Sequence, residues 1–315
     1  MASVTLAEAA KLTQNVLVSG IIESIVSVNP MFNFLPFDSF SGNALAYNVE
    51  NALGGVEFIG KGATSNGITS TGKSAATFTQ KTAGLVPLIG DAEVDHFIQA
   101  TMSNVNDQKA IQVQSKAKSI GRKYQNNLIN GDTSVDANSF DGLLKLIPSS
   151  RKLYTTDAVG VDFSFELLDE MISMVLAKDG QVDYFTLSDK HIRKYYTLLR
   201  ALGGAGIGEV ITLPNGTQVP AYRGVPLFRN DYLVEVDQDA SASTLTCSPI
   251  FAGTFDDGSR KVGLAGLTSE VNNGIFVTEV GEEEDNNNTI TRVRFYCGMA
   301  LFNELGIVMA QNVKV

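Results

Sequence analysis

The chain has 315 residues, a formal charge of −10 and 44% hydrophobic residues. It is long enough for one large domain or two, and too apolar for wholesale disorder. Because an acidic chain gains nothing from counterion release, dedicated binding to DNA or to anionic membranes is disfavoured, although a local basic patch would be exempt from this argument.

The N-terminal sequence MASVTLAEAAKLTQ has no basic region followed by an apolar one, unlike a secretory signal. The most apolar early run, VLVSGIIESIV, carries Glu23 and is far shorter than the ~20 residues of a membrane span. Cys247 and Cys297 lie in apolar, strand-like runs, and their spacing matches no metal motif. We therefore predict a soluble protein, without membrane contact, whose two thiols are free and buried, as fits a reducing compartment.

The first predicted element is a helix over residues 5–28, which Asn29-Pro30 ends. Its apolar residues recur at helix-like spacing and are Leu6, Ala9, Leu12, Val16, Ile21, Ile22, Ile25 and Val26. The segment that follows, MFNFLPFDSF, is apolar and irregular and cannot form a core alone. We expect it to lie on another surface, either in its own subunit or in a neighbouring one.

Residues 46–85 have the pattern of a long two-stranded arm. The run AYNVENALGGVEFIG alternates between apolar and polar residues, 60–74 is rich in Gly, Ser and Thr, and AATFTQKT alternates again. Since a lone hairpin is at best marginally stable in water, such an arm is expected to lie on a partner.

One long helix is predicted from Asp91, a capping residue, to Asn130-Gly131, where it ends. Its length would be ~57 Å, against a diameter of ~50 Å for a compact chain of this size. The molecule would then be elongated or flat, unless Gly121 kinks the helix. The apolar stripe is interrupted near Lys109 and consists of Val94, Ile98, Met102, Val105, Val113, Ala117, Ile120, Tyr124 and Leu128.

From Phe140 onward the pattern is mixed α/β. Two amphipathic helices, at 164–178 and from a capping Ser188 to Gly203-Gly204, flank a buried strand, VDYFTL. A final apolar stretch, GMALFNELGIVMAQNVKV, closes the chain. Strands are predicted at 209–213, 217–222, 225–228, 231–236, 274–280 and 289–297, with turns at Asn215-Gly216 and in the acidic loop GEEEDNNN.

The run NGITSTGKS contains a complete Walker A match from Gly67 to Ser74. Phosphate binding by this motif needs a buried strand that runs into the loop and a helix that begins at the lysine. Here VEFIG ends seven residues before Gly67, and the residues after Lys73 alternate like a strand. We interpret the match as a coincidence in a flexible hairpin tip.

No other pattern indicates an active site. The only histidines, His96 and His191, are interpreted as solvated helix positions, and neither lies near a Gly-x-Ser-x-Gly elbow. The acidic residues from Glu282 to Asp285 read as a solvated turn, and GGAGIG at 203–208 lacks the spacing of a dinucleotide fingerprint. We therefore predict no enzyme, no cofactor and no metal.

Three parts of this architecture cannot stabilise themselves, namely the N-terminal segment, the hairpin and the long helix, which is typical of a subunit in a closed assembly. In the order of these parts the chain resembles the major capsid proteins of tailed bacteriophages with the Hong Kong 97-type fold. The likeness covers essentially the whole chain. It rests on MASVTLAEAAKLTQNVLVSGIIESIVSVNPMF, the hairpin, the long helix, FDGLLKLI, VDYFTLSDKHIRKYYTLLRALGG, VPAYRGVPLFRNDYL and TRVRFYCGMALFNELGIVMAQNV.

The resemblance implies an α+β fold in five parts: an N-terminal arm (1–45), an extended loop or E-loop (46–85), a P-domain with a spine helix (86–139), a mixed α/β axial A-domain (140–262), and return strands to the P-domain (263–315), with the C-terminal strand in either domain. It also implies pentamers and hexamers that self-assemble into an icosahedral shell around a double-stranded DNA genome, in a virion assembled in the host cytoplasm. The implied partners are other copies, a separate scaffolding protein, a portal at one vertex, decoration proteins, and packaged DNA that is contacted non-specifically.

Residues expected at contacts between subunits are Phe58, Ile59, Lys61, Ile68, Lys73, Phe78, Lys81, Phe32, Phe34 and Phe37. Some members of the family join an E-loop lysine to an asparagine of a neighbour. Nothing here matches residue by residue, so no isopeptide bond is assigned, and the candidates are Lys61, Lys73 or Lys81 with Asn286, Asn287, Asn288 or Asn303.

Three alternatives remain open from the sequence. The nearest is an encapsulin, a bacterial compartment of the same fold that holds cargo proteins. An enzyme with a P-loop is a distant second, and a monomeric adhesion module, in which 46–85 binds a foreign surface, is a third.

Overall fold

The computed structural model describes residues 31, 34–61, 69, 72–96, 99–100, 108–155, 160–178, 180–201, 209–213, 216, 218–233, 236–237, 246–283 and 286–314. The predicted helix at 5–28 therefore lies outside the described residues. The elements in chain order are β1 (Phe37–Phe40), β2 (Ala44–Ala52), β3 (Thr77–Gly84), β4 (Val86–Asp95), α1 (Gln108–Asn130), α2 (Leu143–Leu146), β5 (Lys152–Leu153), α3 (Phe165–Leu176), β6 (Tyr184–Leu187), α4 (Asp189–Ala201), β7 (Glu209–Thr212), β8 (Gln218–Tyr222), β9 (Val225–Arg229), β10 (Val236–Asp237), β11 (Thr246–Gly253), β12 (Leu264–Ser269), β13 (Ile275–Glu282), β14 (Asn288–Leu301) and β15 (Ile307–Lys314).

These elements form two large sheets and a separate hairpin. The first sheet has the order β1-β12-β14-β13, with β4 also paired to β14. The second has the order β5-β15-β11-β6-β9-β8-β7, with β10 paired to β11. Among the described strands, β2 and β3 pair with each other and with no third strand. The predicted α+β class is confirmed, and the C-terminal strand β15 belongs to the second sheet.

Strand β4 replaces the predicted first turns of the long helix. It pairs with β14 over ten consecutive residue pairs, and buried Ala92 and Val94 alternate with exposed Glu93. Asp91, predicted as a helix cap, instead accepts two hydrogen bonds of 2.7 Å from the Arg292 guanidinium, which hold the pKa of Asp91 below its usual value. The prediction of a helix from Asp91 was wrong because this segment pairs with β14 along its whole length, which supplies backbone hydrogen bonds in place of those of a helix.

Helix α1 has 23 residues, or about 35 Å, and runs through Gly121 without interruption. Helical backbone also occurs at residues 96 and 99–100, whereas 97–98 and 101–107 lie outside the described residues. The predicted helix length of ~57 Å was therefore too long, because the first predicted residues form β4 instead. The predicted C-terminal end of the helix at Asn130 is confirmed.

The buried face of α1 packs on the first sheet. Its apolar stripe is spaced three and four residues apart, as an amphipathic helix requires, and Tyr124 is its centre. The Tyr124 ring contacts Phe140 and Phe295 at centroid distances of 5.5 and 5.3 Å, and its hydroxyl donates to the carbonyl of Gly298 over 3.2 Å. Burial raises the pKa of Tyr124 well above its usual value, so the ring remains a neutral part of the core. The stripe consists of Val113, Ala117, Ile120, Tyr124 and Leu128.

Helices α3 and α4 cover one face of the second sheet, as the sequence predicted. Ser164 caps α3 by accepting a hydrogen bond from the Leu167 amide over 3.2 Å. The strand between the two helices, β6, is buried at every residue. Arg151 joins α3 to the second sheet, because its buried guanidinium donates to the carbonyls of Met174 in α3, Ile307 in β15 and Leu305 in the turn before β15. The predicted strand at 231–236 is wrong, since 231–232 form a turn and β10 begins only at Val236.

In the part of the chain that the structure describes, no helix is both long and apolar enough to cross a membrane.

A pair of glycines closes the loop that follows α1. The Gly131 amide donates to the Asn127 carbonyl, and the Gly142 amide donates to the Gly131 carbonyl, both over 2.8 Å. A Cβ atom at Gly142 would lie 2.6 Å from the Asn127 carbonyl oxygen and 2.7 Å from that of Ile129. Both clashes involve backbone that the helix end holds in place, so only glycine fits.

We expect Gly142→Ala to lower the free energy of unfolding by about 3 kcal/mol, because the helix end must open to admit the methyl group. Urea unfolding of the unassembled subunit measures this loss. Gly60→Ala is the matched control, since a Cβ atom there meets nothing within 4 Å. Equal stability of the two variants would contradict the tight approach at Gly142.

The ammonium group of Lys145 joins several residues of the same loop. The Lys145 ammonium donates to Asp132 over 2.6 Å, to Thr133 over 2.8 Å and to Ser134 over 2.9 Å, and it lies 2.9 Å from Asp141. Its hydrogen bond to Asp132 is the main cause that lowers the pKa of this carboxyl group to about 2.

Because the pKa of Asp132 is lowered on folding, its stabilising effect is fully present above the ordinary value near 4 and is lost as the pH falls towards 2. We expect Lys145→Met to be less stable than wild type at pH 5, with the difference shrinking progressively to pH 2. Urea unfolding across this range tests it. Lys194→Met, the same change at an exposed position of α4, should show no such convergence.

Candidate intersubunit surfaces

The hairpin of β2 and β3 leaves the body of the protein as a two-stranded arm. Its register runs from the pair Ala44 and Gly84 to the pair Ala52 and Thr77, with a bulge between Glu50 and Ala52. A two-stranded arm at the predicted place is therefore present, although β2 begins at Ala44, two residues before the predicted start. Part of its tip, 62–68 and 70–71, lies outside the described residues.

The root of the arm is fixed to the body by two contacts. The Tyr47 hydroxyl donates to the Leu301 carbonyl over 3.1 Å, and its ring packs edge-on against Phe302 with centroids 5.2 Å apart. Burial and the nearby Glu304 raise the pKa of Tyr47. Lys81 forms an ion pair with Glu304. These contacts set the direction in which the arm projects.

Beyond the root, the arm exposes large apolar side chains. Val56 is 91% exposed and Phe58 is completely exposed. Since burying one such side chain is worth about 1.5–3 kcal/mol, leaving several in water is costly for an isolated subunit. The exposed set consists of Leu53, Val56, Phe58, Ile59 and Phe78.

The structure confirms the exposure of three predicted contact residues, Phe58, Ile59 and Phe78, and adds Leu53 and Val56, which the sequence analysis missed. The signal for Val56 was present, because it alternates with Phe58 and so lies on the same side of an extended chain. Of the predicted lysines, Lys61 and Lys73 are exposed, whereas Lys81 is held by Glu304 within its own subunit. Ile68 lies outside the described residues.

The Walker A match does not form a phosphate-binding loop. Gly72 and Lys73 lie in a turn, residues 74–76 are irregular, and strand β3 begins at Thr77. Ser74 is tied across the arm instead, because its carbonyl and its hydroxyl accept from the Gly55 amide over 2.9 and 3.1 Å. Without a helix after Lys73, the dipole and free amides that hold phosphate are missing, which supports the interpretation as a hairpin tip.

The segment after residue 30 lies on its own chain. Met31 and Leu35 are buried, and the Phe34 ring packs against Phe228 with centroids 5.2 Å apart. Phe37 is 42% exposed, and part of its ring fills the space above Gly266. Of the two surfaces predicted for this segment, the one within the subunit is the one observed. Phe34 is thus a core contact, and Phe32 lies outside the described residues.

Of the two histidines, both predicted as solvated helix positions, only His191 differs from its prediction. His191 is completely buried, with its Nδ1 atom 3.0 Å from the Ser188 hydroxyl and its ring beside Phe163 at 5.6 Å, so its prediction as a solvated residue was wrong. The missed signal is that His191 lies four residues before buried Tyr195, on the same face of α4. The side chain of His96 is 40% exposed, and its Nε2 atom lies 3.0 Å from the Thr289 hydroxyl.

The thiols and the asparagines offer little reactive chemistry. Cys247 and Cys297 are buried and not joined in a disulfide, as predicted, and burial raises the pKa of Cys297 to about 12, so it is no nucleophile at neutral pH. Asn303 caps a short 3₁₀ turn by accepting from the Leu305 amide over 2.9 Å. Asn287 donates to Asp95 over 3.3 Å. Within the described ranges, His, Cys, Asp and Glu side chains form no group of three or more suited to a metal ion.

No protein-family model and no curated protein matches the chain. Several solved structures do. The SrpI encapsulin from Synechococcus elongatus PCC 7942, in its holo complex, has a TM-score of 0.68 and 15% identity over 90% of this chain and 87% of that one. The capsid of a native GTA particle has a TM-score of 0.57 and 11% identity over 90% and 89%. A structure from Mycobacterium phage Ogopogo has a TM-score of 0.54 and 14% identity over 91% of each chain.

At these identities the similarity is one of fold, and it extends over about nine-tenths of both chains. Because the similar structures are phage capsid proteins and encapsulins, the chain has the Hong Kong 97-type fold that these two groups of shell proteins share.

Proposed function

We propose that the chain is the structural subunit of a closed protein shell, built from pentamers and hexamers of this one protein. The observation that carries the proposal is the arm, which is rigid at its root and covered with exposed apolar side chains beyond it. Such a surface is expected where an element lies on a neighbouring subunit. The fold, shared with shell proteins, supports the same role.

The magnitudes favour many weak contacts over one strong dimer. Five large apolar side chains at about 1.5–3 kcal/mol each give a gross gain of about 8–15 kcal/mol per arm. Association costs an estimated 4–15 kcal/mol, so a single arm holds a neighbour weakly. In a closed shell each subunit gives one arm and receives another, and closure makes the weak contacts collectively strong.

In this proposal the parts of the chain take the roles implied by the resemblance. Residues 46–85 are the E-loop, α1 with the first sheet forms the P-domain, and the second sheet with α3 and α4 forms the A-domain around the symmetry axes. The N-terminal arm implied at 1–45 does not extend over its last part, because Met31, Leu35 and strand β1 pack on the body of their own subunit. Lys61 and Lys73, which are exposed, remain candidates for contact or crosslinking with a neighbour, and Ile68 remains a candidate for contact.

We propose further that the shell encloses a double-stranded DNA genome, as the capsid of a tailed bacteriophage assembled in the host cytoplasm. A separate scaffolding protein, a portal and decoration proteins would then be its partners. The second candidate is an encapsulin shell in the bacterial cytoplasm with a protein cargo. The structures with this fold include both an encapsulin and a phage structure, so the fold supports the two candidates equally.

The contents of the particles distinguish the two. Particles purified from the native source, treated with nuclease and then opened, are analysed for nucleic acid by absorbance and for protein by mass spectrometry. Protected duplex DNA of uniform length supports the phage shell, whereas a co-purified enzyme without protected DNA supports the encapsulin.

We expect the double variant Val56→Ser, Phe58→Ser to fold normally but to need at least a tenfold higher protein concentration for assembly, because two apolar contacts with the neighbour are lost. Light scattering and negative-stain microscopy measure the assembly threshold. Val135→Ser, Val271→Ser is the matched control, because these residues are 87% and 86% exposed but lie off the arm. An unchanged threshold in the arm variant would refute the role of the arm.

A further inference from the structure

Helix α1 is strongly basic in an acidic protein. Between Gln108 and Asn130 it carries Lys109, Lys116, Lys118, Arg122 and Lys123 and no Asp or Glu, although the whole chain has a formal charge of −10. Lysine and arginine within a helix are usually balanced by acids three or four residues away. This helix has none, so its charge is not neutralised along its own length.

The four basic residues that follow Lys109 form an exposed surface. Lys109 itself is paired with Glu279, whereas Lys116, Lys118, Arg122 and Lys123 are all exposed. Among the residues that the structure describes, no carboxylate lies within ion-pair distance of these four. Lys116 contributes to the lowered pKa of Asp91 on the sheet below, but the two oxygen atoms of Asp91 already accept hydrogen bonds from Arg292. We call these four residues the basic face.

The spacing of the basic face suits a line of phosphates. At 100° per residue, Lys116 and Lys123 lie in one row and Lys118 and Arg122 in a second row, roughly 120° around the helix. Exposed Ser115 and Ser119 lie between the rows. The face extends about 10 Å along the helix, a distance over which duplex DNA carries about six phosphate charges.

We infer that the basic face binds the phosphate backbone of duplex DNA without regard to base sequence. The inference rests on the proposed shell, because it requires this side of α1 to face the enclosed genome. The net charge of the whole chain disfavours contact with DNA, and the inference places the non-specific contact on α1 alone.

The chemistry of the face favours a polyanion over a protein partner. Stable protein interfaces are centred on buried aromatic or aliphatic side chains. From residue 112 to the end of α1 no large apolar side chain is exposed, and Ile111, 44% exposed, lies at the edge of the face. Four cations that have no ion-pair partner among the described residues, separated by hydroxyl groups, match phosphate oxygens, which accept hydrogen bonds from both.

The negative charge of the rest of the chain limits the strength of this contact without abolishing it. At physiological ionic strength, interactions between exposed charges more than about 8 Å apart are largely screened. A phosphate at α1 is therefore attracted by the cations of the helix more strongly than it is repelled by the distant acids. Four phosphate contacts correspond to a slope of about −3.6 in the logarithm of affinity against the logarithm of salt concentration. Each subunit thus binds weakly, and a shell binds through many copies.

The test is fluorescence anisotropy of a labelled duplex of about 30 base pairs with the unassembled full-length protein, titrated at several salt concentrations. In the variant Lys116→Gln, Lys118→Gln, Arg122→Gln, Lys123→Gln we expect at least a tenfold loss of affinity at low salt and a nearly flat salt dependence. The double variant Lys118→Gln, Arg122→Gln should lose about half of the salt slope. Gln preserves the helix, because its helix propensity is close to that of Lys and Arg.

The control removes four charges elsewhere. Lys178→Gln, Arg193→Gln, Lys194→Gln, Arg200→Gln changes exposed residues on and beside α3 and α4 and gives the same net charge. It should bind DNA within twofold of wild type. Equal weakening in both variants, or absence of binding by the wild type at low salt, would overturn the inference.

Assembly of the same proteins is followed by microscopy, so that the two proposals fail separately. If wild-type shells form but the basic face has no effect on DNA binding, only the inference is lost. If wild-type protein forms no shell under any condition in which it is folded, the proposed function is lost, whatever the DNA titration gives.

Discussion

Strand β14 is the element on which the rest of the structure depends. Of its 14 residues, Asn288–Cys297 pair with β4 along one edge. Along the other edge Thr289–Phe295 pair with β13 and Cys297–Leu301 pair with β12. Its buried side chains, among them Val293 and Phe295, form the floor on which α1 packs. After it the chain passes through the Glu304–Gly306 turn into β15, which lies between β5 and β11 in the second sheet. One continuous segment therefore ties both sheets together, and the arm contacts it at Leu301 through Tyr47.

The sequence predicts well those elements whose own pattern decides their structure. Helices α3 and α4, the buried strand β6 and the paired strands β13 and β14 all have clear periodicity and clear end signals such as Ser164 and Ser188, and each is found where it was expected. The arm was predictable for the same reason, since two alternating runs flank a segment rich in glycine. The fold as a whole followed from the order of these parts.

The sequence-based predictions fail where a residue far away in the chain determines the local structure. The run VPLIGDAEVD carries both a capping aspartate and an alternating pattern, and only pairing with β14, about 200 residues later, makes it a strand. His191 looks like a surface histidine until α4 is placed on the second sheet, where Phe163 and Ser188 enclose it. The basic character of α1 was readable in the sequence, but its meaning depended on knowing which side the first sheet covers. Net charge alone concealed a local surface of opposite sign.

The arm and the first sheet share a single chain direction, because β3 continues through Leu85 directly into β4. Part of any force that a neighbouring subunit applies to the arm is therefore delivered along β4, beside the contacts of Tyr47 and Lys81 at the root. That strand is bonded to β14 by ten residue pairs, so a pull along its axis loads these bonds together, in shear, and does not peel them apart one at a time. The strand that projects into the arm and the strand that holds it to the sheet are thus one continuous segment of chain. Outward pressure on a shell would load the ten residue pairs of the β4–β14 ladder.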